Sequence, residues 1–162
     1  MLKNKVIINA SPLIVTVKSG LGFLWEKLFE RIIIPEVVYD EIAMGVGRDE
    51  VKKWLDLAVN IQRKEIAIAP EIVSWNLGKG ETAVISYCFY NSEYTAIVDD
   101  LAAKKCCFTH KLSVLGTGSI IIEAKNQKLI SSVKKTLYQL KENGMWISDE
   151  VISMLSNRAG EK

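Results

Sequence analysis

Residues 5–14 have the sequence KVIINASPLI, and this stretch decides how the rest of the chain is interpreted. The run Lys5–Asn9 is short and almost wholly apolar, which is typical of a strand buried on both faces of a parallel sheet. Ser11 and Pro12 follow at once, and this pair favours a helix start with Ser11 as the N-cap and Pro12 at the first position. The stretch therefore predicts a buried strand that leads directly into a helix.

The same alternation of apolar strands and amphipathic helices continues along the chain. Further strands are predicted at Arg31–Ile34, Ile66–Ala69, Tyr94–Val98 and Ser113–Leu115. Helices are predicted at Phe23–Phe29, Pro35–Met44, Arg48–Ala58, Glu81–Tyr90 and Leu101–Phe108, and again after Gly118, with breaks near Leu129–Ser131 and Gly144. Because such alternation produces parallel strands with right-handed crossovers, we expect an open α/β sheet with helices on both faces.

Length and composition exclude several classes of protein. With 162 residues we expect a single domain, residues 1–162, whose helices from about residue 131 pack on it or extend it. A hydrophobic fraction of 49% and a net charge of +2 exclude a disordered chain and a histone-like protein. The three cysteines show no CxxC spacing, and no window reaches the length of a membrane span. We therefore expect a cytoplasmic protein that makes no membrane contact.

Polar side chains flank the predicted strands at one edge of the sheet. Asn9 ends the first strand, and Asp99 and Asp100 follow the fourth. Glu41 lies in the helix after the second strand, and Glu81 begins the helix that leads to the fourth. Ligands of open α/β sheets bind outside the carboxyl ends of the strands. We therefore expect these four carboxylates and one carboxamide to converge there.

Each of these residues also has a purely structural interpretation. Asp99 and Asp100 are good helix caps, Glu81 complements a helix dipole, and Asn9 is a turn former. Glu41 is harder to explain in this way, because it shares the apolar side of its helix, where a carboxylate requires a cation or a donor. If the groups converge, their repulsion requires a counter-ion, and all-oxygen ligands favour Mg²⁺ or Mn²⁺. Such an ion can support an in-line displacement at phosphorus.

Five sequence blocks, taken in order, carry a family resemblance. They are VIINASPLI (6–14), IIIPEVVYDEI (32–42), GKGETAVI (78–85), AIVDDLAAKK (96–105) and SVLGTGSIIIEAKNQKLI (113–130). Over Val6 to about Ser148 the chain resembles the PIN-domain family, and most closely its subgroup of VapC-like toxins. The resemblance implies a three-layer α/β/α sandwich around about five parallel strands, and an RNA-cleaving enzyme that uses Mg²⁺ or Mn²⁺. It also implies a homodimer and a small, separately encoded antitoxin that covers the cleft.

The resemblance assigns the acidic residues position by position. Glu41 matches the family's helix glutamate, and Glu81 matches the acid that opens the central helix. Asp99 and Asp100 together cover the acid after the fourth strand, and either can be the closer ligand. Asn9 departs from the family, which generally has Asp there, although this subgroup often carries Asn. A carboxamide can still bind a metal through its oxygen, but the loss of one negative charge should lower the metal affinity.

Three further residues are expected to contact the substrate. Ser11 matches a hydroxyl that follows the first acid, and Thr117 matches a second hydroxyl near the site. Lys104 stands where the subgroup usually has Arg, so that the positive charge is kept and the planar fork is lost. The four tryptophans are spread over the predicted helices, and we interpret them as packing residues rather than base-stacking ones: Trp25, Trp54, Trp75 and Trp146.

Two other functions stay open at this stage. Because Asn9 replaces an acid, the chain could be a degenerate PIN domain that binds RNA or a protein without cutting. A phosphoacceptor signalling domain has a similar sheet, but such domains keep their acidic pair after the first strand, whereas here the pair follows the fourth. Glycine-rich phosphate loops and the serine-hydrolase elbow do not occur, which disfavours nucleotide-binding and serine-hydrolase functions.

Overall fold

The computed structural model describes residues 4–161, so that residues 1–3 and 162 of the predicted domain lie outside the described residues. The strands are β1 (Lys5–Ile8), β2 (Arg31–Pro35), β3 (Ile61–Lys64), β4 (Thr95–Ile97) and β5 (Val114–Leu115). The helices are α1 (Ala10–Lys18), α2 (Phe23–Leu28), α3 (Glu36–Met44), α4 (Asp49–Leu57), α5 (Pro70–Val73), α6 (Lys79–Tyr90), α7 (Leu101–Thr109), α8 (Thr117–Asn126), α9 (Val133–Glu142) and α10 (Asp149–Arg158).

All four strand pairs are parallel, and the order across the sheet is β3-β2-β1-β4-β5. The central strand β1 pairs with both β2 and β4, and Val6 lies opposite Ile32 on one side and Thr95 on the other. Its apolar residues are completely buried, because helices cover both faces of the sheet. The predicted α/β sandwich with five parallel strands is therefore confirmed.

Two hydrophobic cores lie on opposite faces of the sheet. Val6 and Ile8 pack into the larger core, which also contains residues of α1 to α4 and of α8 to α10. Ile7 points the other way, into the core formed with α6 and α7. This alternation follows from the period of two along a strand, and it makes the molecule a three-layer α/β/α sandwich.

The third strand lies earlier in the chain than the sequence predicted. A strand was expected at Ile66–Ala69, but β3 forms at Ile61–Lys64, and residues 65–69 are irregular. As an edge strand β3 exposes most of its side chains, so it lacks the apolar run that marks buried strands. Ile66 and Ala69 are apolar for a different reason, since they pack from the irregular segment onto the core beneath α6.

Helices α8, α9 and α10 pack on the face that also carries α1. Leu137, Leu140 and Ile152 share the larger core with Leu13 of α1. The Gln139 side chain donates a hydrogen bond to a backbone carbonyl after α1, which ties α9 to the rest of the fold. No membrane-spanning helix is found in the described range, since each helix there is too short or too polar for that.

Glu161 holds these last helices together. Its carboxylate accepts hydrogen bonds from Lys125 Nζ (2.8 Å), from Ser132 Oγ (3.0 Å), and from the backbone N–H groups of Val133 (2.6 Å) and Lys134 (3.1 Å). Burial by itself would raise the pKa of Glu161, but these four donors lower it to about 2. We call this arrangement the Glu161 clasp. It stabilises the start of α9 and joins α9 to α8.

Candidate active site

The carboxyl ends of β1 and β4 mark the point at which the strand order reverses. From β1 the chain continues to β2 and β3 on one side, and it later adds β4 and β5 on the other. The Asn9 N–H donates a hydrogen bond to the Ile97 carbonyl at 3.1 Å, which joins the two strand ends. Asp99 and Asp100 follow β4 closely. This is the place at which open α/β sheets bind their ligands.

A cleft of about 520 Å³ opens at this point, and we call it the acidic cleft. Five of the eight predicted site residues line it: Asn9, Ser11, Glu81, Asp99 and Asp100. Val15, Leu101, Gly144, Met145 and Trp146 complete its walls. Residues that are distant in sequence are thus gathered into one cavity, as the positions after the strands predict. The roles assigned to them stay predictions.

The carboxylate of Asp99 is fixed to the start of α8. Its Oδ1 accepts a hydrogen bond from the Thr117 N–H at 2.7 Å, and its Oδ2 accepts one from the Thr117 hydroxyl at 2.6 Å. Thr117 is the buried first residue of α8, so that the negative charge also lies at the positive end of the helix dipole. Thr117 therefore orients Asp99, a role that differs from the direct substrate contact expected for it.

Asp100 caps the next helix. Its Oδ2 accepts a hydrogen bond from the Ala103 N–H at 2.9 Å, which makes Asp100 the N-cap of α7. The capping role that the sequence allowed for either aspartate thus belongs to Asp100. The two neighbours therefore differ in their structural roles, since Asp99 bonds to α8 and Asp100 bonds to α7.

Glu81 is the half-buried acid of the cleft. Its Oε2 accepts a hydrogen bond from the Gly78 N–H at 3.0 Å, so that it also stabilises the start of α6, as the structural interpretation expected. Burial raises the pKa of Glu81, the Gly78 hydrogen bond opposes this effect, and the negative charges of Asp100 and Glu41 add to it. The acids therefore repel one another, and no ion pair within residues 4–161 neutralises them.

The oxygens of Asn9 and Glu41 meet above Gly80. A Cβ atom on Gly80 would lie 2.6 Å from Asn9 Oδ1 and 3.5 Å from Glu41 Oε2, so that glycine is needed there for close approach. Asn9 is only 8% exposed, and its side chain has no hydrogen-bond partner in the described part of the chain. Glu41 is exposed rather than buried on the apolar side of α3, but its carboxylate still reaches the site.

Lys104 and Ser11 stand at the edges of the cleft. Lys104 Nζ and Asp99 Oδ1 lie 2.7 and 3.0 Å from the point that a Cβ atom on Gly116 would occupy, which places the ammonium beside the carboxylate. Ser11 is exposed and lines the cleft, but it is not the N-cap that the sequence predicted. Helix α1 begins two residues earlier than predicted, at Ala10 rather than Pro12, so that Asn9 occupies the cap position without a capping hydrogen bond from its side chain.

The donor chemistry of the cleft fits a hard divalent cation. As placed, no three Asp, Glu, His or Cys side chains among residues 4–161 form a metal site by themselves. Asn9 is nevertheless nearly buried with its oxygen near that of Glu41, and none of the acids around it forms an ion pair within the described residues. A carboxylate has about four acceptor positions, so that Glu81, Asp99 and Asp100 keep free lone pairs after their hydrogen bonds to the chain. All five expected donors are oxygens, which Mg²⁺ and Mn²⁺ prefer.

The sequence did not reveal one wall of the cleft. Met145 and Trp146 belong to the loop between α9 and α10, far along the chain from the acidic residues. Trp146 is fully exposed, with a relative accessibility of 101%, so that its interpretation as a packing residue is wrong. Trp25, in contrast, is completely buried, as expected for a packing residue. The fully exposed ring beside the strand ends is visible only in the folded chain.

Comparison with known proteins places this arrangement in a family. No curated protein matches the chain at a significant level. A family model described as a PIN domain matches residues 5–161, which is nearly the whole chain. PIN domains are generally nucleases and typically use divalent metal ions. The parallel sheet with helices on both faces agrees with that fold. The chain therefore belongs to the PIN-domain family and has its nuclease-type fold.

Proposed function

We propose that the chain is a ribonuclease that hydrolyses RNA phosphodiester bonds with Mg²⁺ or Mn²⁺ held in the acidic cleft. The observation that carries this proposal is the convergence of Asn9, Glu81, Asp99 and Asp100 at the switch point of a PIN-domain sheet. None of these acids forms an ion pair within the described chain, and burial, together with repulsion from Asp100 and Glu41, raises the pKa of Glu81. A bound cation would remove this repulsion.

The roles of the residues follow from their contacts. Asn9, Glu41, Glu81, Asp99 and Asp100 would hold the ion through their oxygens. When bound, such an ion lowers the pKa of a water molecule and neutralises charge on the scissile phosphate.

Neighbouring groups support these oxygens. Thr117 keeps the Asp99 carboxylate in one orientation through two hydrogen bonds. Lys104 presents its ammonium beside Asp99 and can attract a phosphate oxygen, while the Ser11 hydroxyl lies at the cleft wall for a polar contact with RNA.

The resemblance to VapC-like toxins also supports a proposal for the biological role of the chain. We propose that this ribonuclease is the toxin of a toxin–antitoxin pair, that it forms a homodimer, and that a small antitoxin covers the acidic cleft. Induced expression of the chain alone in bacteria should then arrest growth, and Asp100→Asn should relieve the arrest at equal protein level. Growth arrest that persists in this variant would separate toxicity from the acidic cleft.

A titration with Mn²⁺ followed by thermal unfolding tests the metal site without knowledge of the substrate. At a concentration of 100 times its Kd, a ligand stabilises the fold by about 2.7 kcal/mol, which raises Tm clearly. We expect this rise for the wild type and a much smaller one for Asp100→Asn. The asparagine preserves the N-cap of α7, so that the fold itself stays intact. Asp40→Asn removes an exposed charge next to Glu41 and should keep the full rise.

Cleavage of an unstructured RNA by the same three proteins tests the reaction. We expect the wild type and Asp40→Asn to cleave in Mn²⁺, and we expect a chelator or Asp100→Asn to abolish cleavage. Activity that survives the chelator would contradict the proposed mechanism. RNA binding without cleavage in the folded wild type would instead favour the non-catalytic binding module, for which Asn9 is the motivating residue.

A further inference from the structure

Trp146 combines full exposure with a fixed position. The loop that carries it is anchored on both sides, because Met145 and Ile147 pack against the larger core. The Met145 N–H also donates a hydrogen bond to the Leu140 carbonyl at 3.0 Å. The indole between these anchors is completely exposed and lines the acidic cleft. Trp146 therefore presents a large aromatic face to solvent at the wall of the acidic cleft.

A second apolar side chain lies in the same cleft. Leu101 directly follows Asp100 and is 67% exposed, although it is the first residue of α7. Together with Trp146 it gives the cleft an apolar surface beside its carboxylates. The proposed cation and Lys104 would contact phosphates, whereas this apolar surface can contact only a part of the RNA that carries no charge. A nucleobase offers such a contact, since its flat face stacks on an indole.

We infer that Trp146 stacks on an unpaired base of the RNA that enters the acidic cleft. Bases inside a duplex are covered on both faces by their neighbours, so that only an unpaired base can present a face to the indole. The inference rests on the proposed ribonuclease function and adds to it a residue that binds a base. Leu101 contributes apolar surface beside the stacked base.

Binding of a short, unstructured RNA of about ten nucleotides tests the stack, because single-strand sites span about 4–16 nucleotides. Fluorescence anisotropy with Ca²⁺ in place of Mn²⁺ measures the affinity without turnover. Stacking contributes about 1–3 kcal/mol per base, so that Trp146→Ala should weaken binding by about 5- to 140-fold. Trp146→Phe keeps an aromatic face and should retain most of the affinity. An RNA hairpin without unpaired bases should bind weakly and equally to all three proteins.

Tryptophan fluorescence provides a signal that a merely structural role would not change. Stacking should quench the emission of Trp146 when RNA is added. The quenching should disappear in Trp146→Phe, although this variant still binds RNA. The exposed position of Trp146 means that neither substitution should alter Tm, which serves as the control for folding.

Each alternative outcome has a definite meaning. The inference that Trp146 stacks on a base is overturned if the wild type and Trp146→Ala bind single-stranded RNA with equal affinity. It is also overturned if the wild type does not bind this RNA. If Trp146→Ala also cleaves RNA with the kcat/KM of the wild type, the proposed ribonuclease function is supported and the stacking inference is rejected. If Mn²⁺ raises Tm but RNA is neither bound nor cleaved, both proposals fall. If RNA affinity is unchanged but light scattering shows an altered mass in solution, Trp146 serves a protein contact and the inference is overturned.

Discussion

Glu81 and Glu161 are two partly buried glutamates with opposite surroundings. In the Glu161 clasp, a lysine, a serine and two backbone amides surround one carboxylate and lower its pKa to about 2. In the acidic cleft, Glu81 receives one backbone hydrogen bond, but burial and the negative charges of Asp100 and Glu41 raise its pKa. The same side chain therefore stabilises the fold in one place and opposes it in the other.

Under the proposed function, this difference separates acids that stabilise the fold from acids that would bind a metal ion. A carboxylate that serves the fold is supplied with donors by the chain itself, as Glu161 is. The acids of the cleft form no ion pair in the described chain, and Lys104 beside Asp99 is the positive charge placed near them. Unsatisfied charge of this kind lowers stability, and it persists where function requires it.

The largest change in stability is expected when the Glu161 clasp is disrupted. Glu161→Gln should lower the free energy of unfolding at pH 7 by about 2 kcal/mol, allowing for solvent screening. Because the pKa of Glu161 is lowered from 4.5 to about 2, its contribution is complete above pH 4.5 and is lost as the pH falls towards 2. Urea unfolding at a series of pH values should show the two proteins converging in acid. Glu142→Gln, on the exposed side of α9, is the control. If the free energies of unfolding of the wild type and Glu161→Gln differ by the same amount at every pH, this account is contradicted.

Asn9→Asp should add one more negative charge to the acidic cleft. The new carboxylate would lie close to Glu41 and Glu81, so that the metal-free protein should unfold at a lower temperature. Mn²⁺ should bind about tenfold more tightly, which corresponds to about 1.4 kcal/mol. Calorimetric titration measures the affinity. Asn4→Asp adds the same charge at an exposed residue just before β1 and should leave Mn²⁺ binding unchanged. An equal gain in Mn²⁺ affinity in both variants would exclude a local effect of residue 9.

Gly80→Ala tests the close approach above α6. The added methyl group would displace Asn9 Oδ1, which lies 2.6 Å from its position. Alanine is the better helix former by about 1 kcal/mol, so that the metal-free stability should change little. The Mn²⁺-dependent rise in Tm should nevertheless be greatly reduced. A full rise in this variant would show that the Asn9 oxygen does not have to stay above Gly80.

The smallest change in stability is expected for Glu81→Gln, and its sign should be positive. A raised pKa means that ionisation of Glu81 costs stability, and this cost appears as the pH rises through its ordinary value. At pH 7 and without metal the variant should be more stable than the wild type by less than about 1 kcal/mol, and the gain should vanish in acid. Differential scanning calorimetry with and without Mn²⁺ should show this gain together with a lost metal response. A clear loss of stability would mean that the Gly78 hydrogen bond outweighs the repulsion.

The sequence predicted those parts of the fold that carry a two-sided apolar pattern. Strands β1, β2 and β4 are buried, so that their residues had to be apolar, and their positions could be found. Strand β3 was missed because an edge strand exposes side chains such as Gln62 and Arg63. Its apolar neighbour Ile66, which was taken for part of a strand, packs from an irregular segment.

The site was predictable where its residues follow strands and hidden where they come from distant loops. Asn9 and the two aspartates end neighbouring strands, so that their proximity follows from topology alone. The division of roles between Asp99 and Asp100 was not predictable, because either residue is a good cap and only the packed position of Thr117 distinguishes them. Trp146 was not predictable either, because nothing local indicates which surface the loop before α10 faces.

The position of β1 in the sheet has a consequence for the newly made chain. One edge of β1 pairs with β2, which is synthesised soon afterwards, but its other edge pairs with β4, at residues 95–97. Until that segment leaves the ribosome, a half-sheet exposes an open parallel edge, which is a site for misassembly. Asp99 moreover becomes oriented only when Thr117 has been made. The nascent protein therefore combines an edge that is prone to aggregate with an unoriented Asp99, until β4 and α8 have docked.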